Sequence, residues 1–328
     1  MRLIKRIRNK FLTKKIFNIL KQQKLFSIIK YNKYLQKKIN KGINFIKEYL
    51  QITLELTHIP NIAGKIINIP NGYNEFFHIY DDNNNEIIEN KSILNNKAVN
   101  KIRIMIDSKA KYLGNLFERI NNINSITFTK FNRNDITDMS FMFYGCSNLR
   151  RLDLSKFNTE KVENMNYMFS NCVYLEELLL SDFNTTNVTT MAYMFESCRK
   201  IKTLNLSSFD TKNVKIMTGM FRNCLALEDL IIYEFITNNV SMMNLMFSRC
   251  ESLLELNIDN FNTKNVENFC GMFYYCKRLS NLNITNFKFK EGAQMQAMFY
   301  GCSKELIGKE KNQNNNLKFE VSIDIDRY

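Results

Sequence analysis

The sequence is 328 residues long, with 46 Lys and Arg, 32 Asp and Glu, and two His. Its net charge of +14 lies within residues 1–50, which hold 15 basic residues and one acid, so the remaining 278 residues are neutral overall. No run of 18 apolar residues occurs, which excludes a helix that spans a membrane. The scarcity of histidine and the lack of a glycine-rich phosphate loop argue against catalysis, a metal site or a nucleotide cofactor. We therefore expect no enzyme, no cofactor and no small-molecule substrate.

Residues 1–50 are predicted to form a basic amphipathic helical segment, because apolar residues recur at helical spacing between lysines. The segment could pack as a helical hairpin that solvates its lysines, or it could contact an anionic membrane. Nothing in it indicates specific nucleic-acid recognition. It is a poor secretory signal, although an organelle transit sequence is an alternative. This favours an intracellular, cytoplasmic location, with export to the cell surface by a non-standard route as the alternative.

Residues 51–104 are predicted to form a small β-rich unit. Alternating apolar residues over 52–56 and 102–106 are typical of half-buried strands, and residues 66–69 and 76–80 are also apolar. Both prolines of the chain, Pro60 and Pro70, fall in this unit, as expected for connecting loops.

Residues 105–303 contain an internal repeat of 26 residues. The motif Met-Phe-x-x-Cys recurs at this interval, and such self-similarity predicts a solenoid in which neighbouring units stack. The seven motifs begin at Met142, Met168, Met194, Met220, Met246, Met272 and Met298. Residues 105–130 carry apolar residues at the positions that are apolar in the repeats. We therefore expect a degenerate N-terminal cap repeat followed by seven full repeats. The cap carries Ile120 in place of the repeated cysteine, which indicates a buried apolar position.

Each repeat combines two periods. Val162, Met165, Met168 and Cys172 follow the spacing of one helix face, and Asn158-Thr159 just before them are typical N-cap residues. The L-x-x-L-x-L segment that follows, such as residues 175–180, predicts the strand of a leucine-rich repeat. The predicted class is therefore an α/β repeat, a leucine-rich-repeat solenoid with a parallel concave β-sheet. We expect the repeated cysteines to be buried, reduced thiols, although the rung spacing would allow disulfides.

Units such as Leu204-Asn-Leu206-Ser-Ser-Phe209-Asp-Thr211-Lys-Asn213-Val214, followed by Met217, Met220-Phe221 and Cys224, resemble BspA-type leucine-rich repeats. Such repeats occur in bacterial cell-surface proteins and, greatly expanded, in protists. The resemblance covers residues 105–303. It implies adhesion or protein binding, and it brings no catalytic residues.

Residues 304–328 are predicted to form a C-terminal cap. The repeat phase is lost after Cys302, and strict alternation over 317–325 predicts a final strand that covers the last repeat.

The predicted binding surface is the outer side of the repeat strands, because residues between the inward leucines face solvent there. Most are polar, but one part of the surface combines large apolar groups with acids, as protein-binding hot spots do. The residues predicted to bind a partner are Leu179, Asp229, Ile231, Tyr233, Glu255 and Asp259. The sequence thus predicts a non-enzymatic module that binds a protein of unknown identity through its concave face. A cell-surface adhesin, or a virulence-associated surface protein of the BspA type, is the alternative.

Overall fold

A computed structural model describes residues 50–59, 64–86, 92–93, 101–110, 112–181 and 183–313. All of these except Leu50 belong to one compact unit, residues 51–328. The predicted helical segment at 1–50, apart from Leu50, and the predicted strand at 317–325 lie outside the described residues. Among the helices that the structure describes, none has an apolar stretch long enough to cross a bilayer.

The first part of the unit is a mixed sheet. Its strands are β1 (Ile52–His58), β3 (Phe77–Tyr80), β5 (Lys101–Ile106) and β6 (Ile123–Lys130), and a 3-10 helix at Asn74–Phe76 precedes β3. The short strands β2 (Gly64–Lys65) and β4 (Ser92–Ile93) pair with each other. Strand β1 lies between β5 and β6 and is antiparallel to both. The apolar residues 66–69, in contrast, form no strand, although Ile66 and Ile67 are fully buried.

One short strand follows each of the first six Met-Phe-x-x-Cys motifs, whereas a helix follows the seventh. These strands are β7 (Arg151–Asp153), β8 (Glu177–Leu179), β9 (Thr203–Asn205), β10 (Asp229–Ile231), β11 (Glu255–Leu256) and β12 (Asn281–Leu282). Strand β6 pairs in parallel with β7, and β7 with β8, so the first sheet has the order β3-β5-β1-β6-β7-β8. Strands β9 and β10 form a second parallel pair, and β11 and β12 a third. The paired residues lie 26 positions apart, which is the period of the sequence.

The repeats form a β-rich stack, and we call each 26-residue unit a rung. Each rung has an exposed strand face, made by the outward residues of β7–β12 and the loops directly after them. The segments that contain Met-Phe-x-x-Cys form a second surface of the stack, which we call the turn wall. One hydrophobic core runs without a break from Ile52 to Leu306.

The helix predicted in each repeat is wrong, and so is the α/β class. From residue 112 to 303, as far as the structure describes them, there is no helix, and the Met-Phe-x-x-Cys segments are successive turns. Two residues per rung have left-handed φ angles, such as Tyr167 at 56° and Asn171 at 60°, and an α-helix cannot contain them. The N–H groups of both residues bond to the next rung, Tyr167 to the Ala192 carbonyl (2.9 Å) and Asn171 to the Glu196 carbonyl (2.7 Å).

The turn wall packs through a column of stacked phenylalanine rings. Neighbouring ring centroids are 5.2–5.7 Å apart, and the planes lie within 15° of parallel. The column consists of Phe117, Phe143, Phe169, Phe195, Phe221, Phe247, Phe273 and Phe299. Burying each ring contributes about 1.5–3 kcal/mol. The column therefore explains why the repeat keeps phenylalanine at this position.

Buried polar side chains also connect the rungs. The hydroxyl of Thr159 donates to the Asn184 carbonyl at 2.9 Å and accepts from the Asn184 N–H at 2.8 Å. Thr185, Thr211, Thr237 and Thr263 occupy the same position in later rungs and donate to the following rung in the same way. The N-cap role expected for Asn158-Thr159 is therefore wrong, because this hydroxyl connects two rungs.

All eight cysteines are free thiols, and six of the seven repeated ones are buried. The seven repeated thiols each donate to the phenylalanine carbonyl of the preceding rung at 2.9–3.2 Å. Burial raises the pKa of Cys172 and Cys224 to about 12. These thiols are thus protonated packing groups that lack the thiolate character of a nucleophile.

The array ends at a helix that the sequence did not reveal, α1 (Lys304–Gln313). The hydroxyl of Ser303 accepts from the Leu306 N–H at 3.2 Å, as an N-cap does. The same hydroxyl donates to the Leu279 carbonyl of the last rung at 2.9 Å. Leu306 is fully buried, so α1 covers apolar surface that the last rung would otherwise expose.

Candidate binding site on the strand face

A groove with a volume of about 380 Å³ lies on the strand face at β10–β12. Its lining includes five of the six residues predicted to bind a partner: Asp229, Ile231, Tyr233, Glu255 and Asp259. Leu230, Ile232 and Leu256 also line it and are buried, so they supply an apolar floor. The sixth residue, Leu179, is 45% exposed on β8, two rungs away, and does not line the groove.

The apolar groups in the groove differ in exposure. Tyr233 is 45% exposed, whereas Ile231 is half-buried. The expectation that Ile231 exposes a large apolar group is therefore only partly met, and the aromatic ring is the main apolar contact that the groove offers.

Asparagine amides orient two carboxylates of the groove. Asn283 Nδ2 donates to Asp259 Oδ1 at 2.9 Å, and Asn281 Nδ2 donates to Glu255 Oε2 at 3.3 Å. Within the described residues, neither carboxylate forms an ion pair, and Asp229 has no side-chain partner. Because each amide engages one oxygen, the other carboxylate oxygens stay available to a ligand.

The sheet is interrupted at the groove. In the part of the chain that the structure describes, no strand pairing joins β10 to β11, although β9 pairs with β10 and β11 with β12. On the turn wall the same two rungs stay bonded, for example from the Phe221 N–H to the Met246 carbonyl at 2.8 Å. The groove therefore opens on the strand face between two rungs that the turn wall holds together.

Outside the groove, the titratable side chains that could take part in catalysis or metal binding lie in different parts of the fold. His78 Nδ1 lies 2.9 Å from Glu86 Oε1 beside β3. On the turn wall, Glu196 accepts from the Ser170 hydroxyl at 3.1 Å and lies 3.8 Å from Arg222. Burial raises the pKa of Glu196, as expected for a carboxyl packed into the stack. Across the described ranges, no three His, Cys, Asp or Glu side chains converge closely enough to hold a metal ion.

The stacked rungs and their continuous core define a β-rich repeat protein. The chain belongs to the family described as "Mycoplasma protein of unknown function, DUF285", which matches residues 111–224 and, as a second tandem match, residues 196–311. No curated protein and no solved structure matched the chain in the corresponding comparisons.

Proposed function

We propose that this chain is a non-enzymatic protein-interaction module that binds a partner protein through its strand face. One observation carries the proposal: a repeated frame holds non-repeated exposed residues that come together in a single groove around Tyr233. Repeat proteins commonly recognise partners in this way, because the buried frame stays constant while the exposed positions vary.

We further propose that the stack is a leucine-rich-repeat solenoid of the BspA type. Parallel strands in 26-residue register, with buried leucines such as Leu204 and Leu230, support this classification. In this chain, turns replace the helix of each repeat, and these turns carry the stacked phenylalanines and the repeated cysteines.

Within the proposed surface, Tyr233 is the expected anchor. An exposed aromatic ring beside an apolar floor contributes large contact area at little entropic cost, and such residues dominate measured interfaces. Leu179 is expected to be a secondary contact, because it is exposed but lies on another rung.

Affinity capture from native cells tests the proposal. Full-length chain that carries Tyr233→Ala with Asp229→Lys should lose the proteins that the wild type retains. Tyr174→Ala is the matched control, because Tyr174 is 43% exposed but does not line the groove. Unchanged capture by the double variant would refute the proposed surface.

The alternative, a cell-surface adhesin or virulence-associated surface protein, is favoured by the resemblance of the repeats to BspA-type units. It differs from the first proposal in location, since we propose an intracellular site of action. Protease treatment of intact cells separates the two. Complete protection of the chain supports the intracellular proposal, and cleavage at the cell surface supports the adhesin.

Residues 1–50 carry a separate proposal, contact with an anionic membrane, because they concentrate the net charge of +14. Binding of the full chain to vesicles should require acidic lipid and should weaken with salt. Binding to neutral vesicles that is insensitive to salt would contradict it.

A further inference from the structure

The two halves of the strand face differ in charge. On the rungs of β7–β9, residues 150–156, 176–182 and 202–208 contain four basic and four acidic residues. On the rungs of β10–β12, residues 228–234, 254–260 and 280–286 contain five acids and no lysine or arginine. The groove lies in this second half, so it is acidic on a surface whose other half is balanced.

Ion pairs neutralise two of the four acids of the first half, Glu176 and Glu177. Arg151 Nε lies 2.9 Å from Glu177 Oε2, and Arg150 Nη1 lies 2.9 Å from Glu176 Oε1. Each pair joins two neighbouring rungs. Glu255 and Asp229 occupy the same column as Arg151 and Glu177, but there two acids follow each other. In the first half, Glu177 therefore has a basic partner on the neighbouring rung. In the second half, Asp229 and Glu255 have none on the neighbouring strands.

Two like charges on adjacent rungs are unfavourable. Asp229 on β10 and Glu255 on β11 hold the same position in successive rungs and both line the groove, although these two strands do not pair. Two carboxylates that line one groove repel each other. A cation from outside the chain would remove this repulsion and would gain Coulomb attraction from both carboxylates.

The groove also offers what an extended cationic side chain needs besides charge. Its apolar floor can take the methylene stem of a lysine or arginine, which buries readily while the charged end stays polar. The exposed ring of Tyr233 can accept a cation over its face. Asp259 stands on the rung after Tyr233 and accepts a hydrogen bond from Asn283, and both Tyr233 and Asp259 line the groove.

We propose that the groove binds a basic segment of a partner protein, with a lysine or arginine side chain between Tyr233 and the carboxylates of Asp229, Glu255 and Asp259. The proposal rests on the strand-face function given above and names the chemistry of its partner. The observation that carries it is charge complementarity: an acidic groove with an aromatic side chain, in a half-face whose strands and following loops contain no lysine or arginine. An anionic partner such as a nucleic acid would be repelled by the same surface.

Fluorescence anisotropy on the full-length chain tests this directly. The probe is a fluorescein-labelled heptapeptide of alternating glycine and arginine, at physiological ionic strength, and the reference probe replaces arginine with glutamate. We expect the arginine peptide to bind at the groove, whereas any binding of the glutamate peptide to the basic residues 1–50 should be the same in the wild type and in the groove variant (Asp229→Asn with Glu255→Gln). Asp229→Asn with Glu255→Gln should weaken binding by about tenfold or more, and Tyr233→Ala by about three- to tenfold.

The matched control is Glu176→Gln with Glu177→Gln, which removes two carboxylates from the same face outside the groove. Its affinity should stay within about twofold of the wild type. The basic segment 1–50 is present in every variant, so differences between variants report on the groove. The groove variant should also unfold at the same temperature as the wild type or higher, because it removes two like charges from one groove.

Three results would overturn the proposal. The groove variant could bind as the wild type does, the control could lose as much affinity as the groove variant, or millimolar calcium chloride could displace the peptide, which would make a metal ion the occupant. The capture experiment with Tyr233→Ala and Asp229→Lys separates this failure from failure of the general function. If capture is lost but the arginine peptide does not bind, the strand face recognises a protein of different chemistry.

Discussion

The turn wall and the strand face are built from the same 26-residue unit, yet they obey different constraints. On the turn wall, each Phe and Cys contacts the rungs above and below, so a change in one rung disturbs two neighbours. On the strand face, side chains such as Tyr233 and Leu179 point to solvent, and a change affects little besides its own rung. Repetition in the sequence therefore marks packing, and departures from repetition mark the surface that is free to specialise.

The largest expected effect concerns alkaline stability and comes from the turn wall. Burial raises the pKa of Cys172, Cys224 and Cys302 to about 12, whereas thiols of an unfolded chain titrate near about 8.5. The unfolded chain therefore loses these protons first. Stability is complete below that lower pKa and falls as the pH rises toward 12, by about 1.4 kcal/mol per pH unit for each thiol.

For these three thiols together the slope is about 4 kcal/mol per pH unit. Burial also raises the pKa of Cys146, Cys198, Cys250 and Cys276, so these thiols add to the slope. Urea unfolding between about pH 9 and pH 11 under reducing conditions measures the total slope. Cys224→Ala should lower this slope by about 1.4 kcal/mol per pH unit, which is the contribution of one thiol. A slope that does not change in this variant would mean that the thiol is not buried.

A central ring of the phenylalanine column gives the next largest effect. Phe195 is fully buried and stacks at 5.5 Å on Phe169 and at 5.7 Å on Phe221. Phe195→Ala should reduce the free energy of unfolding by about 3–5 kcal/mol, because it leaves a cavity between two rungs. Denaturant titration checks this value, and a loss below about 1 kcal/mol would contradict the packing described for the turn wall.

Replacing a buried thiol by a hydroxyl should have an intermediate effect. In Cys198→Ser the hydroxyl is more costly to bury than the thiol, and its shorter bond moves the donor away from the Phe169 carbonyl, now 3.2 Å from sulfur. We expect a loss of about 1–3 kcal/mol in the free energy of unfolding. The control is Cys270→Ser, because Cys270 is half-buried and is not one of the seven repeated cysteines. This change should reduce the free energy of unfolding by less. Equal losses of unfolding free energy at Cys198 and Cys270 would argue against a special packing role for the repeated cysteines.

The smallest expected effect is on the strand face. Tyr233→Ala removes an aromatic ring, as Phe195→Ala does, but it should change the free energy of unfolding by less than about 0.5 kcal/mol. Both variants are measured by the same denaturant titration. A cost similar to that of Phe195→Ala would show that Tyr233 is part of the core and would remove the contrast between the two surfaces.

The sequence predicted the core of the turn wall correctly but not its backbone. Met165, Met168 and Cys172 are fully buried, as their spacing required. Consecutive turns bury the same positions as a helix would, because periodicity reports which side chains face inward and says nothing about the sign of φ. Tyr167 has a left-handed φ angle, but a tyrosine in the sequence does not indicate such a conformation.

A signal for these turns was nevertheless present. Glycine occupies the left-handed positions in some rungs, as at Gly145, Gly219 and Gly301, and asparagine does so at Asn171 and Asn223. Both residue types favour positive φ, so comparing the columns would have indicated turns. Ser303 gave a similar signal for α1, since serine before Lys-Glu-Leu is a typical N-cap.

For the candidate site, the alternation of the strands was enough to place five of the six residues in one groove. The repeat order also places Leu179 two rungs away from Ile231 and Tyr233, and Leu179 does not line the groove. The alternation missed Asn281 and Asn283, whose role in orienting Glu255 and Asp259 depends on contacts between neighbouring rungs.

The central claim is that the strand face, at the groove, is where this chain meets its partner. Photo-crosslinking in native cells tests it most directly, with a benzophenone amino acid placed either at Tyr233 or at Tyr174. We expect a discrete crosslinked protein from position 233 and none from position 174. Crosslinks from position 174 in the absence of any from position 233 would contradict it.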